Sequence, residues 1–413
     1  MKPSGIEWIG DIPDDWEVRR LKGLGEQTIG LTYSPQDITD NSGTLVLRSS
    51  NIQNGKLVLD RDDNVYVSID VENKILKDED ILICSRNGSR NLVGKTAFVI
   101  TYGKKLSYGA FTTIFRSKYN KFLFYVFNAG VFEYHLASYN TSTINQLTTS
   151  MLNEIRVPFP PVKTQQKIAD YLDEKCGEID ATIAKQKESI EKLKAYKQSL
   201  ISETVTKGLD KSAPLKPSGI DYLGDIPSHW EIKKLKFLVS LIDNKTKDGH
   251  SISLENIESG TGKLIETENT YDGDGISFKE NDLLFGKLRP YLAKVYLSAL
   301  KGRALGDFYV MRANKGTNPN FLKFVLLSDW FIKIVDSSTY GTKMPRASWD
   351  FTGGMRIPLP PISEQDCISS YLETKCSEVD TFIIEKQNII QKLDAYKKSL
   401  IFECVTGKRY LWV

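Results

Sequence analysis

Cysteine and histidine are scarce in this chain. Five cysteines among 413 residues (Cys84, Cys176, Cys367, Cys376 and Cys404) show no C-x-x-C spacing, which argues against a disulfide framework and against structural zinc. The three histidines, His135, His229 and His250, have no carboxylate or cysteine at ligand spacing, which argues against a metal hydrolase. No apolar run approaches the ~18 residues that a membrane span needs. The richest stretch, Phe321–Val335, is broken by Lys323, Asp329 and Lys333. Lys2–Pro13 is polar and rich in glycine and proline, unlike a secretory leader, so a cytoplasmic location is expected. A strong charge of one sign is also missing: the net charge is only +3.

Phosphate loops and methyl-donor loops are absent too. "SGTGKL" at Ser259–Leu264 lacks the first glycine of a phosphate loop and has Leu264 where a magnesium-holding hydroxyl belongs. "NPNF" at Asn318–Phe321 is faintly like an adenine-methyltransferase element, but no Gly-rich donor loop accompanies it. It reads as a helix-start turn.

What the chain does have is a repeat. "KPSGIEWIGDIPDDWEVRRLKGL" from Lys2 returns as "KPSGIDYLGDIPSHWEIKKLKFL" from Lys216, with 14 of 23 positions identical. "RVPFPPVKTQQKIADYLDEKCGEID" opens a block at Arg156 that returns from Arg356, with 25 of 53 positions identical. The stretches between, Gly25–Ile155 and Val239–Met355, do not align convincingly. A period this long is a tandem duplication rather than a solenoid. A repeated frame therefore carries two different inserts, as one geometry presenting two specificities would.

Lys163–Thr206 reads as one long helix of about 60 Å, at roughly 1.5 Å per residue. Its apolar residues keep a seven-residue repeat through Ala169, Leu172, Cys176, Ile179, Ile183, Ile190, Leu193 and Leu200. The second copy keeps Leu372, Cys376, Val379, Ile383, Ile390, Leu393 and Leu400. Sustained heptads signal a coiled coil. Either helix alone would leave its seam exposed, so the two are expected to pack together. Gln186 and Lys386 fall at the same mid-helix layer, and antiparallel pairing would bring these polar residues together. The prolines at 158, 160, 161, 358, 360 and 361 end the preceding strands, Ser363 with Asp366 resembles a capping box, and Gly208 and Gly407 suit helix ends. Cys176 and Cys376 read as small core residues, not nucleophiles.

Both inserts read as strands and short helices in one shared order. "TLVLRSSNIQNGKLVL" alternates like a hairpin turning at Asn54-Gly55. The loops hold the binding candidates, because loops on a rigid scaffold are where binding residues concentrate. Arg86, Asn87, Ser89 and Arg90 form one cluster; Lys287, Arg289, Tyr291 and Lys294 form another. Arginine and lysine suit guanine edges, asparagine adenine edges, and serine or threonine either. Lys104, Lys105, Lys301 and Arg303 are candidate phosphate contacts. Asn140, Thr141, Ser142 and Thr143, and Tyr340, Lys343 and Arg346, suit either task. The inserts hold 13 basic against 13 acidic and 15 basic against 14 acidic residues, so any phosphate binding must come from such local clusters.

The two "KPSGI…GDIP…W" blocks, the two "P-x-P-P-x-x-x-Q" helix entries at Gln165 and Gln365, and the duplicated layout resemble the specificity (S) subunit of type I restriction–modification enzymes. The resemblance covers nearly the whole chain. It implies an α+β fold: two mixed α/β target recognition domains joined by two long helices packed as an antiparallel coiled coil, with a pseudo-twofold internal repeat. The expected segments are 1–155 and 216–355, each a repeat segment with its recognition domain, and 156–215 and 356–413, the spacer helices. Each recognition domain would read half of a split, asymmetric site in double-stranded DNA. "LRSSNIQNGKL" is close to the family's usual hairpin, which adds Arg48 and Asn51 to the candidates; Arg48 has no counterpart in "ISLENIESGTGKL". The helices would set the gap and dock two methyltransferase (M) subunits, joined by restriction–translocase (R) subunits. S-adenosylmethionine, ATP and magnesium are expected on those partners and no cofactor on this chain, which would catalyse nothing itself. From the residues alone, a coiled-coil adaptor with two protein-binding modules and no DNA role stays open, since the inserts are near neutral.

Overall fold

The heptads become two helices, Val162–Lys207 and Ile362–Val405. The computed structural model in which they lie describes residues 1–138, 146–265, 273–341 and 343–409. The motif glutamines start both helices in the same way. The buried Gln165 side chain donates to the Pro160 carbonyl at 2.7 Å, and Gln365 to the Pro360 carbonyl at 2.8 Å. Each thus covers a carbonyl that lies before the first helical turn and that no helical N–H reaches. Gly208 and Gly407, with φ of 71° and 73°, follow the helix ends in the left-handed conformation that glycine adopts without strain. The expected capping box at Ser363 is not what begins the second helix. Ser363 lies inside it, and Asp366 instead accepts from Asn318 Nδ2 at 2.6 Å.

The chain forms two compact units, Met1–Lys185 with Asn388–Val413, and Gln186–Gln387. Each long helix therefore contributes to both. In the first unit the helices run antiparallel: Lys397 Nζ meets Asp180 Oδ1 at 2.6 Å, and further along Arg409 lies over the Tyr171 ring. In the second unit Lys197 Nζ meets Asp380 Oδ1 at 2.7 Å, and Lys386 Nζ donates to Gln186 Oε1 at 3.2 Å. Leu172, Cys176, Ile179, Ile183 and Ile190 are buried, as are Leu372, Cys376 and Val379. Leu193, Ile383, Ile390 and Leu393 are only half-buried, like the polar pair Gln186 and Lys386. Burial pushes the thiol of Cys176 up to about 11 and that of Cys404 to about 12, so neither is a thiolate nucleophile at neutral pH.

The repeated blocks clasp each insert at its root. Strand Glu17–Arg20 pairs with Arg156–Phe159, and Glu231–Lys234 pairs with Arg356–Leu359 in the same register. Leu21 N donates to the Ile155 carbonyl, and Leu235 N to that of Met355, both at 2.9 Å. Trp16 and Trp230 are buried under these clasps.

Between the clasps the inserts share far more than their sequences suggest. One four-stranded sheet orders Thr96–Phe98, Ile81–Cys84, Thr112–Arg116 and Glu26–Ile29; its counterpart orders Val295–Leu297, Asp282–Gly286, Phe308–Ala313 and Val239–Ile242. Each central strand is entered through a left-handed residue, Glu79 or Asn281, both at φ 67°. A buried aspartate follows. Asp80 binds Arg116 through two hydrogen bonds of 2.7 and 2.6 Å, and Asp282 binds Arg312 through 2.8 and 2.7 Å. Such a pair tolerates burial of the carboxylate because both of its oxygens accept from the Nε–Nη2 edge of the guanidinium. Each second sheet holds a parallel pair, Thr44–Leu47 with Leu106–Tyr108 and His250–Ile252 with Gly302–Ala304. The flanking strands differ: Val65–Val67 lies beside the earlier strand in the first unit, and Gly275–Phe278 beside the later one in the second. Helices Asn120–Val126 and Pro319–Leu327 then join each insert's core to its long-helix seam.

Asp380 is flanked by Lys197 and by Lys263 at 2.7 Å. Burial would raise its pKa, but the hydrogen bonds from both lysines outweigh it and hold the carboxyl below an aspartate's ordinary 3.8. A depressed folded value means that the stabilisation is whole above about pH 3.8 and is lost as pH falls through the folded value. Asp380→Asn should therefore destabilise the protein at pH 7 by on the order of 3 kcal/mol, leaving Lys197 buried without its counter-charge. Urea unfolding at pH 7 and at pH 3 checks this: the gap between variant and parent should narrow in acid.

Candidate nucleic-acid interface

The strand register sorts the loops of each unit to two ends. Cys84 lies opposite Thr112, and strand Thr44–Leu47 runs parallel to Leu106–Tyr108. The loops after Cys84, after Leu47 and before Thr112 therefore gather at one end of the first unit. In the second unit Gly286 lies opposite Phe308, which gathers the loops after Gly286 and before Phe308.

In the first unit this end carries Arg86, Asn87, Ser89 and Arg90. Arg86 is exposed, and its guanidinium lies 5.4 Å from the centre of the Phe111 ring. Asn87 fastens this loop to the hairpin, donating to Ser49 Oγ at 3.1 Å and accepting from Ser89 N at 2.9 Å. Ser89 and Arg90 lie exposed at the following turn. The hairpin turns at Asn54-Gly55, as its sequence expects, with φ of 51° and 78°. A cleft of about 440 Å³ opens between hairpin and turn, edged by Gln53, Asn54, Arg61 and Lys95 among others.

Two hairpin candidates do a different job. Asn51 is 1% exposed: its Oδ1 accepts from Arg48 N, and its Nδ2 donates to the Val58 carbonyl and to Asn64 Oδ1, each at 2.9 Å. An amide so fully used cannot also read a base edge, and the expectation that Asn51 contacts DNA is corrected. Arg48 pairs with Asp63 at 3.2 Å and also binds the Asp63 carbonyl, closing the same loop. Its counterpart, missing from the sequence comparison, is Ser253: Asn256 Oδ1 accepts from Ser253 N at 2.8 Å, repeating the Asn51 bond. The asparagine, not the arginine, is the shared element.

In the second unit Lys287, Arg289, Tyr291, Tyr340, Lys343 and Arg346 come together. Leu288 bridges Arg346, which in turn bridges Tyr340. Arg289 N donates to the Pro345 carbonyl at 2.8 Å, and its Nη2 to that of Lys343 at 3.3 Å. Arg289 and Ala293 sit at φ 50° and 46°, a left-handed conformation that is uncommon outside glycine. Tyr291 and Tyr340 are exposed, the latter to 80%. Lys287 and Arg346 both approach Asp307, at 3.9 and 3.0 Å. The hydrogen bonds that Arg346 donates to Asp307 raise the already high pKa of its guanidinium. Lys294 is spent internally, donating to the Ile257 carbonyl at 2.7 Å.

The proposed phosphate contacts lie elsewhere. Phe98 is opposite Ile81 and Leu297 opposite Leu283, so the loops that follow, with Lys104, Lys105 and Lys301, sit at the other end of the central strands. Lys105 pairs with Glu72 at 2.5 Å, and Arg303 binds the Lys247 and Gly249 carbonyls. The structure does not bring these four residues to the end that carries Arg86 and Arg289. Asn140, Thr141, Ser142 and Thr143 lie outside the described residues. Phe111 and Asp307 were not among the candidates; each is one residue before a strand, a place set by pairing and unmarked by any motif. Among the described residues no cluster of three or more histidine, cysteine or acidic side chains is fit to hold a metal ion, and no helix is long and apolar enough to cross a membrane.

Comparison with known proteins gives a consistent picture. The family model described as the type I restriction modification DNA specificity domain matches residues 13–194. The putative type I restriction enzyme MjaX specificity subunit of Methanocaldococcus jannaschii is 25% identical over 97% of this chain and 95% of its own length. The EcoKI specificity subunit of Escherichia coli is 22% identical over 97% and 90%. A chain solved in a study of complex assembly and conformational transition of the type I R-M system is 13% identical. It superposes with a TM-score of 0.71 over 97% of this chain and all of that one. The HsdS subunit from Thermoanaerobacter tengcongensis gives a TM-score of 0.51 at 15% identity, over 97% and 98%.

If Asn51 shapes the hairpin, Asn51→Ala should leave three partly buried polar groups without partners. It should destabilise the loop by about 1–3 kcal/mol. Amide hydrogen exchange should then accelerate across residues 48–64 and not across the clasp at 156–159.

Proposed function

We propose that this chain is a DNA sequence-specificity subunit of a type I restriction–modification system and that its two units each read one half of a bipartite DNA site. The observation that carries this reading is the contrast between frame and loops. Both units repeat the clasp, the central sheet and the buried Asp–Arg pair, yet at the same loop end they present unlike chemistry. In the first unit that is Arg86 over Phe111; in the second it is Lys287 and Arg346 around Asp307, with Arg289, Tyr291 and Tyr340 nearby. Arginine, lysine and exposed aromatic side chains are suited to base edges and the thymine methyl group. Symmetric homodimers on one frame read palindromes; two unlike loop sets on a duplicated frame suit an asymmetric site.

Mechanistically, Arg86, Ser89 and Arg90 in one unit, and Lys287, Arg289, Tyr291, Tyr340, Lys343 and Arg346 in the other, supply direct readout. The long helices set the gap between the two half-sites. Lys104, Lys105, Lys301 and Arg303, at the other end of the strands, are not assigned to the readout. The repeated clasp segments offer two like surfaces on which two methyltransferase subunits dock, with restriction–translocase subunits completing the assembly. S-adenosylmethionine, ATP and magnesium serve those partners, and this chain contributes recognition rather than catalysis. None of the comparisons supports the protein-adaptor alternative.

Long-read sequencing with methylation calling, on cells with and without this gene and with the methyltransferase partner present in both, tests the reading. One split adenine-methylated motif should vanish with the gene; an unchanged methylome would sink it. Two variants refine the mechanism. Four residues inserted near Gln186 should change the gap in the motif and leave both half-sites intact. Exchange of Gly25–Ile155 for another such domain should rewrite one half of the motif and spare the other.

A further inference from the structure

We infer that Asp307 and Arg346 form one base-reading device in the second unit, in which Asp307 positions the Arg346 guanidinium for a guanine in the major groove. The inference rests on the DNA-reading role proposed above and deepens it, assigning one chemistry to one unit.

Backbone pairing fixes the place. Lys287 N donates to the Asp307 carbonyl at 2.8 Å, and Ala347 N to the Lys287 carbonyl at 2.9 Å. Three segments thus meet at the loop end, and Asp307 and Arg346 face each other across them. Arg346 Nε lies 3.2 Å from both carboxylate oxygens of Asp307, and Nη2 lies 3.0 Å from Oδ2. The carboxylate therefore takes the Nε–Nη2 edge of a planar fork that carries five N–H donors. The Nη1 side remains for a ligand, and the Arg346 side chain is 54% exposed. Guanine presents two acceptors, O6 and N7, at the spacing a guanidinium edge spans. An arginine already held by a carboxylate also loses less rotamer freedom when it binds. Lys287, 3.9 Å from Asp307, leaves the trio with one net positive charge, so the aspartate does not repel the phosphate backbone.

The first unit shows that the device is a choice of side chains and not a requirement of the fold. There Ser85 N donates to the Phe111 carbonyl at 3.0 Å, Leu147 N donates to that of Ser85 at 2.7 Å, and Arg86 bridges Gln146. The same backbone places hold Phe111 for Asp307 and Gln146 for Arg346. The two units would therefore differ in base preference at this point while sharing these main-chain contacts.

The test uses the full chain with its methyltransferase partner and a plasmid library carrying every single-base change of the methylated motif. Exchange of Gly25–Ile155 first shows which half-site belongs to the second unit, since that half survives. For Asp307→Asn, discrimination in favour of G·C at one position of that half should fall by about 5- to 150-fold, the range of one good bidentate pair. All other positions should keep their preferences. Arg346→Lys should relax the same position, because an ammonium cannot make the planar paired bond, and Asp307→Glu should restore part of the preference. The inference is overturned if every position keeps the parental preference, if the change falls in the other half, or if the surviving half contains no G·C pair. Should either variant abolish methylation, binding of the purified variant complex to the parental site and to the G·C-substituted site decides: parental discrimination overturns the inference and lost discrimination supports it. A parent chain that directs no split motif would instead refute the DNA-reading role itself.

Discussion

The pairing on which the rest depends is the reciprocal Lys–Asp contact between the long helices. A lysine of the second helix meets an aspartate of the first in one unit, Lys397 with Asp180; a lysine of the first meets an aspartate of the second in the other, Lys197 with Asp380. All four residues fall in the duplicated block, at positions identical between its two copies. A repeated sequence packed antiparallel against itself must meet its own complement twice, so one duplicated segment writes both pairs. Charged partners are specific in a way that leucine seams are not. A slip of one heptad that set Lys197, now nearly buried, against Gln387 would leave it without a counter-charge and would set Lys397 against Lys187. The half-buried Gln186–Lys386 contact adds a polar layer that further disfavours other registers.

With the helices fixed, each insert has a defined root. The two-stranded clasp and the buried tryptophan hold both chain ends of the insert, and the central strand is anchored at its start by the buried Asp–Arg pair. The anchored end is where the backbone repeats residue for residue, down to the left-handed Glu79 and Asn281. The far end of the same strand is where the side chains diverge. Placing constraint at one end of a strand and variation at the other lets base-reading residues change without disturbing the main-chain hydrogen bonds that carry them.

That division also explains why some polar residues in the loops are unsuited to readout. Asn51 and Asn256 close their hairpins from inside, and Lys294 and Arg303 cap main-chain carbonyls. The side chains left for a ligand are fewer and better defined: Arg86 against Phe111, and Arg346 held by Asp307 within a ring of exposed lysine and tyrosine.

The sequence by itself determined the frame. Heptad spacing, the proline-bounded helix entries and the polar mid-helix layer are local or periodic signals, and they were legible as two long antiparallel helices. The order of strands and helices within the inserts was legible too, because alternation and turn residues report local structure. Tertiary structure alone decided three things. The equivalence of the inserts lies in backbone pairing, which two dissimilar sequences satisfy equally well. The fate of each loop residue, buried like Asn51 or exposed like Arg86, depends on which segments the strand register brings beside it. Asp307 and Arg346 are 39 residues apart and carry no motif; only the meeting of two strand ends with a third segment makes them neighbours.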